Sequence, residues 1–419
     1  MSILPLLERA QSAAREIRKV SAEGRNHALA CIAQAISNES ATILAANEKD
    51  LSAAAGLSSA MTDRLRLSQD RLQDVLRALK EVAAQDDPLA GQRDIGEGRS
   101  GIQVSRKRTP LGVIGIVYEA RPNVTAECAA LTIKSGNAVV LRGGKEARWS
   151  NQAIAQAVRA GLTEASLNPD AVILIEDTAR ETVQELLQAT SYIDLVIPRG
   201  GAGLMKIVDQ YARVPVIRHG QGICHVYIDQ AAATQMAVDI AFNAKVQRPG
   251  VCNAMETLLI HEDRLTDILL PLAEKLTKAG VRLIADEACL AVLSRAQIDA
   301  RIATSQDWDT EFLGLSLAIR AVNSLEQACD HIAEHGTNHT ASIVTEDAET
   351  ANYFLKDIDA SCVMWNASTR FNDGGELGLG AEMGISTSKM HAYGPMSVSE
   401  LTAEKLVVYG TGQVRGRTE

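Results

Sequence analysis

The chain has 419 residues, of which 46% are hydrophobic and 22% charged, the balance of a globular protein with a large core. This length predicts two or three domains. The formal net charge of −10 argues against nucleic acid or an anionic membrane as the main partner, and no run reaches the roughly 18 apolar residues of a membrane helix. The seven scattered cysteines include no C-x-x-C pair, so we expect a reducing compartment and a soluble, cytoplasmic protein.

The first 90 residues are predicted to be helical. Between residues 70 and 82 the apolar side chains recur at the i, i+3, i+4, i+7 spacing of one helix face, and they are Leu72, Val75, Leu76, Leu79 and Val82. This helical stretch should end at Asp87-Pro88, because proline disfavours the helical conformation of the residue before it.

From residue 100 onward, short apolar runs alternate with helical stretches. Runs of four to six apolar residues without polar alternation suit strands that are buried on both faces of a parallel sheet. The first series is GVIGIVY (112–118), NAVVLR (137–142), AVILI (171–175), DLVIPR (194–199) and VPVI (214–217). A helix at 230–246 and the loop QRPGVCN lead to a second series, METLLI, VRLIA, LSLAIRAV, ASIVT and SCVMWN. Two such series predict an α/β protein with two Rossmann-like domains.

Two amphipathic runs lie outside this alternation, GIQVSRKR at 101–108 and KLVVYG at 405–410. We interpret them as strands of a protruding β-arm that serves oligomerisation. Ordinary edge strands are the alternative.

Two glycine-rich loops could bind phosphate. In each, a predicted strand ends in arginine, paired glycines follow, and a helix begins, as RGGK at 142–145 and RGGAG at 199–203. Glycine lets the backbone approach a phosphate closely, and helix N-terminal N–H groups with a nearby cation supply positive potential. The alternative is a tight turn that needs glycine for its φ angles. Neither loop matches G-x-G-x-x-G, so the usual dinucleotide fingerprint is absent.

One cysteine stands in an unusual setting. The segment QRPGVCN at 247–253 places Cys252 in a polar, basic loop, whereas the other six cysteines mostly have apolar or helical neighbours. A nearby arginine would favour the thiolate, which is the nucleophilic form. The alternative is a small core residue.

The segment His331-Ile332-Ala333-Glu334-His335 fits the H-x-x-E-H zinc pattern, since two histidines at i and i+4 can share a helix face. Gly336 and Asn338 follow at once and predict a helix C-cap, so His339 cannot extend the set. We expect a surface helix that leads into a strand, and no metal.

Taken in chain order, these pieces resemble the aldehyde dehydrogenase superfamily over roughly residues 5–415. The stretches that carry the resemblance are GVIGIVYEARPNVT (112–125), VQRPGVCNAMETLLI (246–260), HGTNHTASI (335–343), NASTRF (366–371) and HAYGPMSVSELT (391–402). The resemblance implies an aldehyde dehydrogenase-like fold. It has a cofactor-binding domain at 1–228, to whose β-arm 101–108 contributes, and a catalytic domain at 229–365. Residues 366–419 return to the cofactor domain and the arm.

The resemblance also implies roles for single residues. Cys252 stands where the family has its nucleophile, and Asn123 stands in the segment that supplies the oxyanion-hole amide. Glu311, in TEFLG, matches the carboxylate that holds the nicotinamide ribose, and Gly200 and Gly201 belong to the cofactor loop. An Asx turn at Asn123 and a solvated acid at Glu311 are the alternatives.

Two departures from the family pattern refine the cofactor and the chemistry. Most aldehyde dehydrogenases have lysine where Arg142 stands, and NAD-specific members often have glutamate where Lys145 stands. Two cations should attract a ribose 2′-phosphate, so NADP (NADPH) is expected rather than NAD. The segment at 217–221, IRHGQ, has no carboxylate where hydrolytic members carry the base that activates water, so an acyl phosphate is the expected reactant.

The resulting hypothesis is the NADPH-dependent reduction of L-glutamyl 5-phosphate to L-glutamate 5-semialdehyde, with release of phosphate, in proline biosynthesis. Cys252 would form a thioester, Asn123 would stabilise the oxyanion, and Arg248 and Arg370 are candidates to hold the phosphate or the α-carboxylate. The rivals are a hydrolytic dehydrogenase, a zinc peptidase built on His331, Glu334 and His335, and an inactive binding protein. We expect a homodimer or a dimer of dimers, and the sequence leaves open an association with glutamate 5-kinase.

Overall fold

The computed structural model describes residues 2–54, 56–57, 59–218 and 220–415, and of Ser59, Ala60 and Ala202 it describes the backbone alone. These residues divide into two compact units. The first is drawn from Met1–Arg218, Gly378–Gly384 and Met396–Glu419, and the second from His219–Leu377 and Ile385–Pro395.

The helices are numbered in chain order. They are α1 (Leu4–Ile17), α2 (Ala22–Asn38), α3 (Ser40–Ala53), α4 (Ser59–Leu65), α5 (Gln69–Ala84), α6 (Asn123–Lys134), α7 (Arg148–Glu164), α8 (Arg180–Gln188), α9 (Ala202–Tyr211), α10 (Thr234–Val246), α11 (Leu270–Lys278), α12 (Glu287–Arg295), α13 (Ser305–Trp308), α14 (Leu325–His335) and α15 (Ala348–Asp357).

The strands are numbered in the same way. They are β1 (Arg93–Glu97), β2 (Gln103–Pro110), β3 (Val113–Tyr118), β4 (Ala138–Gly143), β5 (Val172–Leu174), β6 (Leu195–Arg199), β7 (Cys224–Ile228), β8 (Met255–His261), β9 (Arg282–Ala285), β10 (Ala300–Ile302), β11 (Ser316–Val322), β12 (Thr340–Val344), β13 (Cys362–Trp365), β14 (Ile385–Ser386), β15 (Gly394–Pro395) and β16 (Thr402–Tyr409).

The first unit contains a parallel sheet in the order β5-β4-β3-β6. All residues of β3 and β4 are buried, as expected for apolar runs covered on both faces. The strand order reverses at β3, which pairs with β4 on one side and β6 on the other. In an open α/β sheet this reversal leaves a crevice beyond the carboxyl ends of the strands, where ligands bind. The residues that follow β3 and β6 therefore occupy the place expected for a nucleotide.

One predicted strand of this series was wrong. The run VPVI at 214–217 forms only an isolated parallel bridge between Val216 and Val196. Pro215 accepts a hydrogen bond from Val196 N–H at 2.9 Å, but proline has no N–H to donate in return. The ladder therefore does not extend along this segment.

The second unit contains a seven-stranded parallel sheet in the order β10-β9-β11-β8-β7-β12-β13. The pairing of β7 with β8 is irregular, because Cys224 is opposite Met255 and His225 is opposite Thr257. Glu256 is thus an extra residue in β8, and such a bulge turns a side chain away from its regular direction. Strand β7, which the sequence analysis assigned to the first domain, lies in this unit because its partners are β8 and β12.

A third, antiparallel sheet belongs to the first unit and has the order β1-β2-β16. The runs at 101–108 and 405–410 fall on β2 and β16, as predicted, whereas β1 was not predicted. Leu406 and Val408 lie on one face of β16 and are 60% and 53% exposed. This sheet is the β-arm of the following sections.

The helical prediction for the N-terminal part is confirmed by α1–α5, and α5 ends at Ala84, three residues before Asp87. The five apolar residues predicted for its inner face are all buried. Among the described residues, no single helix has both the length and the apolar composition to cross a membrane. Only α2 and α3 taken together, with a bend of 65° between them, have that length and composition.

Candidate active site

Cys252 lies in the loop between α10 and β8, at the amino end of β8. Its side chain is half-buried, whereas Cys31, Cys128, Cys224, Cys289 and Cys329 are buried, and Cys362 is the other half-buried cysteine. Burial raises the pKa of Cys128 and of Cys329 to about 12, which makes these thiols poor nucleophiles. Accessibility therefore separates Cys252 and Cys362 from the buried cysteines, and burial raises the pKa of Cys362.

The backbone of Cys252 is held closely by the segment that enters β7. A Cβ atom at Gly222 would lie 2.0 Å from the Cys252 carbonyl oxygen, so only glycine fits at this position. The Cys224 thiol donates to the same carbonyl oxygen at 3.1 Å, and its sulfur lies 3.5 Å from His339 Nδ1. Two residues well before Cys252 in the chain therefore fix its backbone, and the sequence analysis missed both.

Glu311 joins this group through Gly222. Its Oε1 accepts a hydrogen bond from Gly222 N–H at 2.9 Å. Glu311 precedes β11, Gly222 precedes β7 and Cys252 precedes β8, so all three lie at the amino edge of one parallel sheet. The usual site in such sheets is the carboxyl edge, which explains why strand-end reasoning alone would miss this arrangement.

The predicted substrate residues Arg248 and Arg370 lie in the same unit. Arg370 Nε donates to Gln247 Oε1 at 2.8 Å, which ties the segment after β13 to the loop of Cys252. Burial lowers the pKa of Arg370, its neighbour Arg248 also lowers it, and the negative charges of Asp373 and the Cys252 thiolate raise it. The Arg370 guanidinium therefore interacts electrostatically with both the Arg248 guanidinium and the Cys252 thiol.

Asn253 extends this tie, although the sequence analysis did not select it. Its Nδ2 donates to the Asn372 carbonyl oxygen at 2.9 Å, and Asn372 Nδ2 donates to Thr340 Oγ1 at 2.8 Å. Because both asparagines are buried, these hydrogen bonds fix the loop of Cys252 to the start of β12.

Asn123 belongs to the first unit, where it begins α6. Its side chain is half-buried, and Nδ2 donates to Glu127 Oε1, one helical turn away, at 3.0 Å. The role of Asn123 as an oxyanion donor stays a prediction.

Arg142 and Lys145, the two cations predicted for the ribose phosphate, differ in their surroundings. Arg142 is 9% exposed, and its guanidinium donates to the carbonyl oxygens of Gly143, Thr178 and Ala179 at 3.1, 2.5 and 3.0 Å. Lys145 is exposed on the short turn between β4 and α7. Of the two, Lys145 has the side chain that a ligand can reach.

The loop of Gly200 and Gly201 joins β6 to α9, at the strand reversal of the first sheet. Gly201 N–H donates to Glu119 Oε2 at 2.8 Å, and Glu119 N–H donates to the Arg199 carbonyl oxygen at 3.1 Å. A carboxylate thus accepts from the backbone where a phosphate oxygen was predicted to accept. The Gly201 N–H is therefore already engaged by a carboxylate in this structure, and the assignment of Gly200 and Gly201 to the cofactor stays a prediction.

The segment at 217–221 carries no acidic residue, and His219 within it lies outside the described residues. The absence of a carboxylate here is a property of the sequence itself. Because no carboxylate here could activate water, we still expect the reactant to be an acyl phosphate and do not expect the thioester to be hydrolysed.

The H-x-x-E-H histidines take part in packing and hydrogen bonding. His331 Nδ1 accepts from Arg320 Nη1 at 2.6 Å, and His335 Nδ1 lies 2.8 Å from Asp309 Oδ1. Within the described part of the chain, no group of three or more histidine, cysteine or acidic side chains is arranged to hold a metal ion.

Comparison with known proteins agrees with this fold. The family model described as "Aldehyde dehydrogenase family" matches residues 3–307. The chain belongs to the aldehyde dehydrogenase family, whose members use a nicotinamide cofactor, and it is an oxidoreductase that acts on a small molecule. The predicted fold class, aldehyde dehydrogenase-like α/β with parallel sheets, is confirmed.

Within this family the chain is similar to gamma-glutamyl phosphate reductases. It is 48% identical over 421 residues to that of Salinibacter ruber, covering 100% of this chain and 96% of the relative. It is 49% identical over 411 residues to that of Moorella thermoacetica, covering 97% of each. The crystal structure of the Thermotoga maritima gamma-glutamyl phosphate reductase matches with a TM-score of 0.93 and 40% identity, over 99% of this chain and 100% of that one.

Proposed function

We propose that this protein reduces L-glutamyl 5-phosphate to L-glutamate 5-semialdehyde with NADPH and releases inorganic phosphate, a step of proline biosynthesis. The half-buried thiol of Cys252, which interacts electrostatically with the Arg370 guanidinium and has no water-activating carboxylate at 217–221, is the observation that carries the proposal. The full-length similarity to gamma-glutamyl phosphate reductases supports the same substrate.

The chemistry begins at the thiolate of Cys252. The sulfur attacks the 5-acyl carbon, a C–S bond forms, and the C–O bond to phosphate breaks, so that phosphate leaves with the electron pair. Arg248 and Arg370 stabilise the negative charge of the leaving group or hold the α-carboxylate. Asn123 and the Cys252 backbone N–H donate to the carbonyl oxygen as it gains negative charge.

Reduced nicotinamide, when bound, supplies the hydride that converts the thioester into a thiohemiacetal. The thiohemiacetal oxygen then forms the aldehyde, and the C–S bond breaks to return the Cys252 thiolate. Cys252 is rigidly placed for both steps, because its carbonyl is held by Gly222 and Cys224.

The remaining side chains act on the cofactor. With the cofactor bound, Glu311 would hold the nicotinamide ribose, the loop of Gly200 and Gly201 would receive the pyrophosphate, and Lys145 would favour the 2′-phosphate of NADP. The free cysteines support a reducing, cytoplasmic location. We also propose that the β-arm joins copies of this chain into a dimer or a dimer of dimers, and that association with glutamate 5-kinase would protect the reactive acyl phosphate.

The reaction is tested in reverse, because the acyl phosphate is unstable. The protein is mixed with glutamate 5-semialdehyde and NADP⁺, and the absorbance of the reduced cofactor is followed with and without inorganic phosphate. The proposal predicts a signal that requires phosphate. A signal of equal size without phosphate would identify a hydrolytic dehydrogenase instead.

The role of Cys252 is tested in the same assay. Cys252→Ala should lower kcat by about 10³-fold or more, the scale of losing a catalytic nucleophile. Cys362→Ser, which alters the other half-buried cysteine, is the matched control and should keep wild-type turnover. Near-normal turnover of Cys252→Ala would contradict the mechanism.

A further inference from the structure

A buried ion pair lies at the base of the loop that carries Cys252. Lys245 is in the last turn of α10, seven residues before Cys252, and Glu256 is in β8, four residues after it. Lys245 Nζ lies 2.5 Å from Glu256 Oε2, and both side chains are 0% exposed. The pair therefore joins the two ends of the loop where it leaves the fold.

Burial makes this pair expensive to form. Burial raises the pKa of Glu256 and lowers the pKa of Lys245, while the attraction between the two opposes both shifts. A buried ion pair is seldom a net source of stability, because apolar side chains of similar volume do as well or better. Its presence beside the nucleophile loop calls for a role other than stability.

The second carboxylate oxygen of Glu256 reaches another loop. Because Glu256 is the bulged residue of β8, its side chain can serve both Lys245 and this loop. Oε1 accepts from Leu313 N–H at 3.1 Å, and Lys245 Nζ lies 5.9 Å from the centre of the Phe312 ring. Leu313 has a φ of +50°, a left-handed conformation that a leucine adopts only when its surroundings impose it.

These contacts connect the loop of Glu311 with the loop of Cys252. Glu311 immediately precedes Phe312 and accepts from Gly222 N–H, and Gly222 in turn packs against the Cys252 carbonyl. The two loops are thus connected twice, once through Gly222 and once through the ion pair. With both connections in place, the distance between Cys252 and Glu311 is fixed.

We propose that Lys245 and Glu256 are positioning residues, which hold the loop of Cys252 and the loop of Glu311 in one fixed arrangement for thiol attack and for cofactor binding. The proposal rests on the proposed function, which gives Cys252 and Glu311 their roles. The two carboxylate oxygens of Glu256 have separate tasks. Oε2, paired with Lys245, closes the nucleophile loop, and Oε1, which accepts from Leu313 N–H, sets the position of Glu311.

Two neutral double variants separate these tasks. Lys245→Met/Glu256→Gln removes both charges but keeps an oxygen that can accept from Leu313 N–H. Lys245→Met/Glu256→Leu removes the acceptor as well. Lys275→Met/Asp239→Asn is the matched control, because it neutralises an exposed ion pair of the same unit, whose side chains are 46% and 58% exposed.

For each protein we would measure kcat of the reverse reaction, the Kd of NADP⁺ by calorimetry, and the melting temperature. With Lys245→Met/Glu256→Gln, kcat should fall about tenfold while the Kd stays within about threefold of wild type. With Lys245→Met/Glu256→Leu, the Kd should also rise about tenfold or more. The control should match wild type in both.

A purely structural pair would lower the melting temperature and leave kcat and Kd of the folded protein unchanged, which would overturn the proposal. If the leucine variant does not fold, the kcat of the glutamine variant decides, and a wild-type value overturns the proposal. Failure of the proposed function is distinct, because the wild-type protein itself would then show no phosphate-dependent signal although the Kd of NADP⁺ could still be measured.

Discussion

Arg142, near the end of β4, and Lys145, in the turn that follows, are three residues apart but have different surroundings. The guanidinium of Arg142 joins the end of β4 to the segment before α8 by hydrogen bonds to the carbonyl oxygens of Thr178 and Ala179. The ammonium of Lys145 is exposed to solvent. Discrimination between NADPH and NADH should therefore depend on Lys145 far more than on Arg142.

The variant Lys145→Glu tests this at the level of one residue. Glutamate would repel a 2′-phosphate and accept from a ribose 2′-hydroxyl, so the ratio of kcat/KM for NADPH to that for NADH should fall about tenfold or more. Steady-state kinetics with both cofactors provide the measurement. Lys19→Glu, at another exposed lysine of the same unit, should leave the ratio unchanged, and an unchanged ratio in Lys145→Glu would refute the assignment.

At this scale, the sequence could select residues that stand inside a contiguous motif, and their roles stay predictions. Cys252 was selected because its loop is polar and basic, and Glu311 because TEFLG matches a family segment. Gly222, Cys224 and Glu256 were missed, since their importance comes from contacts that the sequence does not display. Cys224 reaches Cys252 across 28 positions, and Leu313 reaches Glu256 across 57.

Among the elements, α2 and α7 pack at unusually short range. A Cβ atom at Gly161 of α7 would lie 2.5 Å from Ile32 Cα of α2, so the helices touch through their backbones. The contact cannot be relieved by moving a side chain, because the neighbour is main chain. Glycine is a poorer helix former than alanine, and the close packing of α2 against α7 compensates for this loss of helix stability.

Gly161→Ala should accordingly destabilise the protein by roughly 1–3 kcal/mol, although alanine is the better helix former. Urea unfolding measures the difference in the free energy of unfolding. Gly203→Ala in α9 is the control, because a Cβ there meets nothing within 4 Å, and it should be neutral or mildly stabilising. Equal effects at the two positions would contradict the packing argument.

A layer of aromatic rings between β7 and α14 makes a second element-scale feature. His331 packs edge-on against His225 and Trp308, with ring centres 5.5 and 5.4 Å apart, and lies 4.6 Å from His335. Burial is the main cause that lowers the pKa of His225 to about 4, and burial with the adjacent His225 and Arg320 lowers that of His331 to about 2. Both rings are therefore neutral in the folded protein.

This layer predicts loss of stability in acid. Because the folded pKa values lie below the unfolded value of about 6.5, the unfolded chain takes up protons first, so stability is complete above pH 6.5 and falls as the pH drops towards 4. Each ring should remove about 1.4 kcal/mol per pH unit in that window. Urea unfolding at several pH values should show a smaller slope for His331→Gln, whereas His27→Gln, at an exposed ring, should retain the wild-type slope.

Strand prediction succeeded where apolar runs are buried on both faces, as in β3, β4, β6 and β8. It failed at 214–217, where Pro215 lacks the N–H that a ladder needs, and at β1, whose sequence RDIGE has no apolar pattern. All five residues of β1 are exposed. A strand whose side chains are all exposed has no apolar pattern, and β1 is held by its backbone pairing with β2 and by polar contacts such as Ser105 Oγ to Asp94 Oδ1 at 2.7 Å.

For the whole molecule, the unexplained surface is that of the β-arm. Leu406, Val408 and Val104 lie on one face of this sheet, with Val408 directly opposite Val104. Large apolar side chains exposed in a row are typical of surfaces that bind another protein chain. The arm is therefore the place where we expect a second copy of the chain to bind.

Leu406→Asp/Val408→Asp should weaken self-association, because burying two carboxylates in an apolar contact is costly. Sedimentation velocity over a range of concentrations measures the change, and a smaller species should appear. Lys405→Ala, on the other face of β16, should not alter the distribution. An unchanged distribution in the double aspartate variant would place the interface elsewhere.

The pairing of β2 with β16 also has a consequence for the order of synthesis. The two strands are about 300 residues apart in the chain, whereas all strands of the seven-stranded sheet lie between Cys224 and Trp365. During translation that sheet can form while β1 and β2 still lack their third strand, and two strands alone are marginally stable. A chain released before residue 402 would therefore lack a complete arm, so self-association through the arm would select for finished chains.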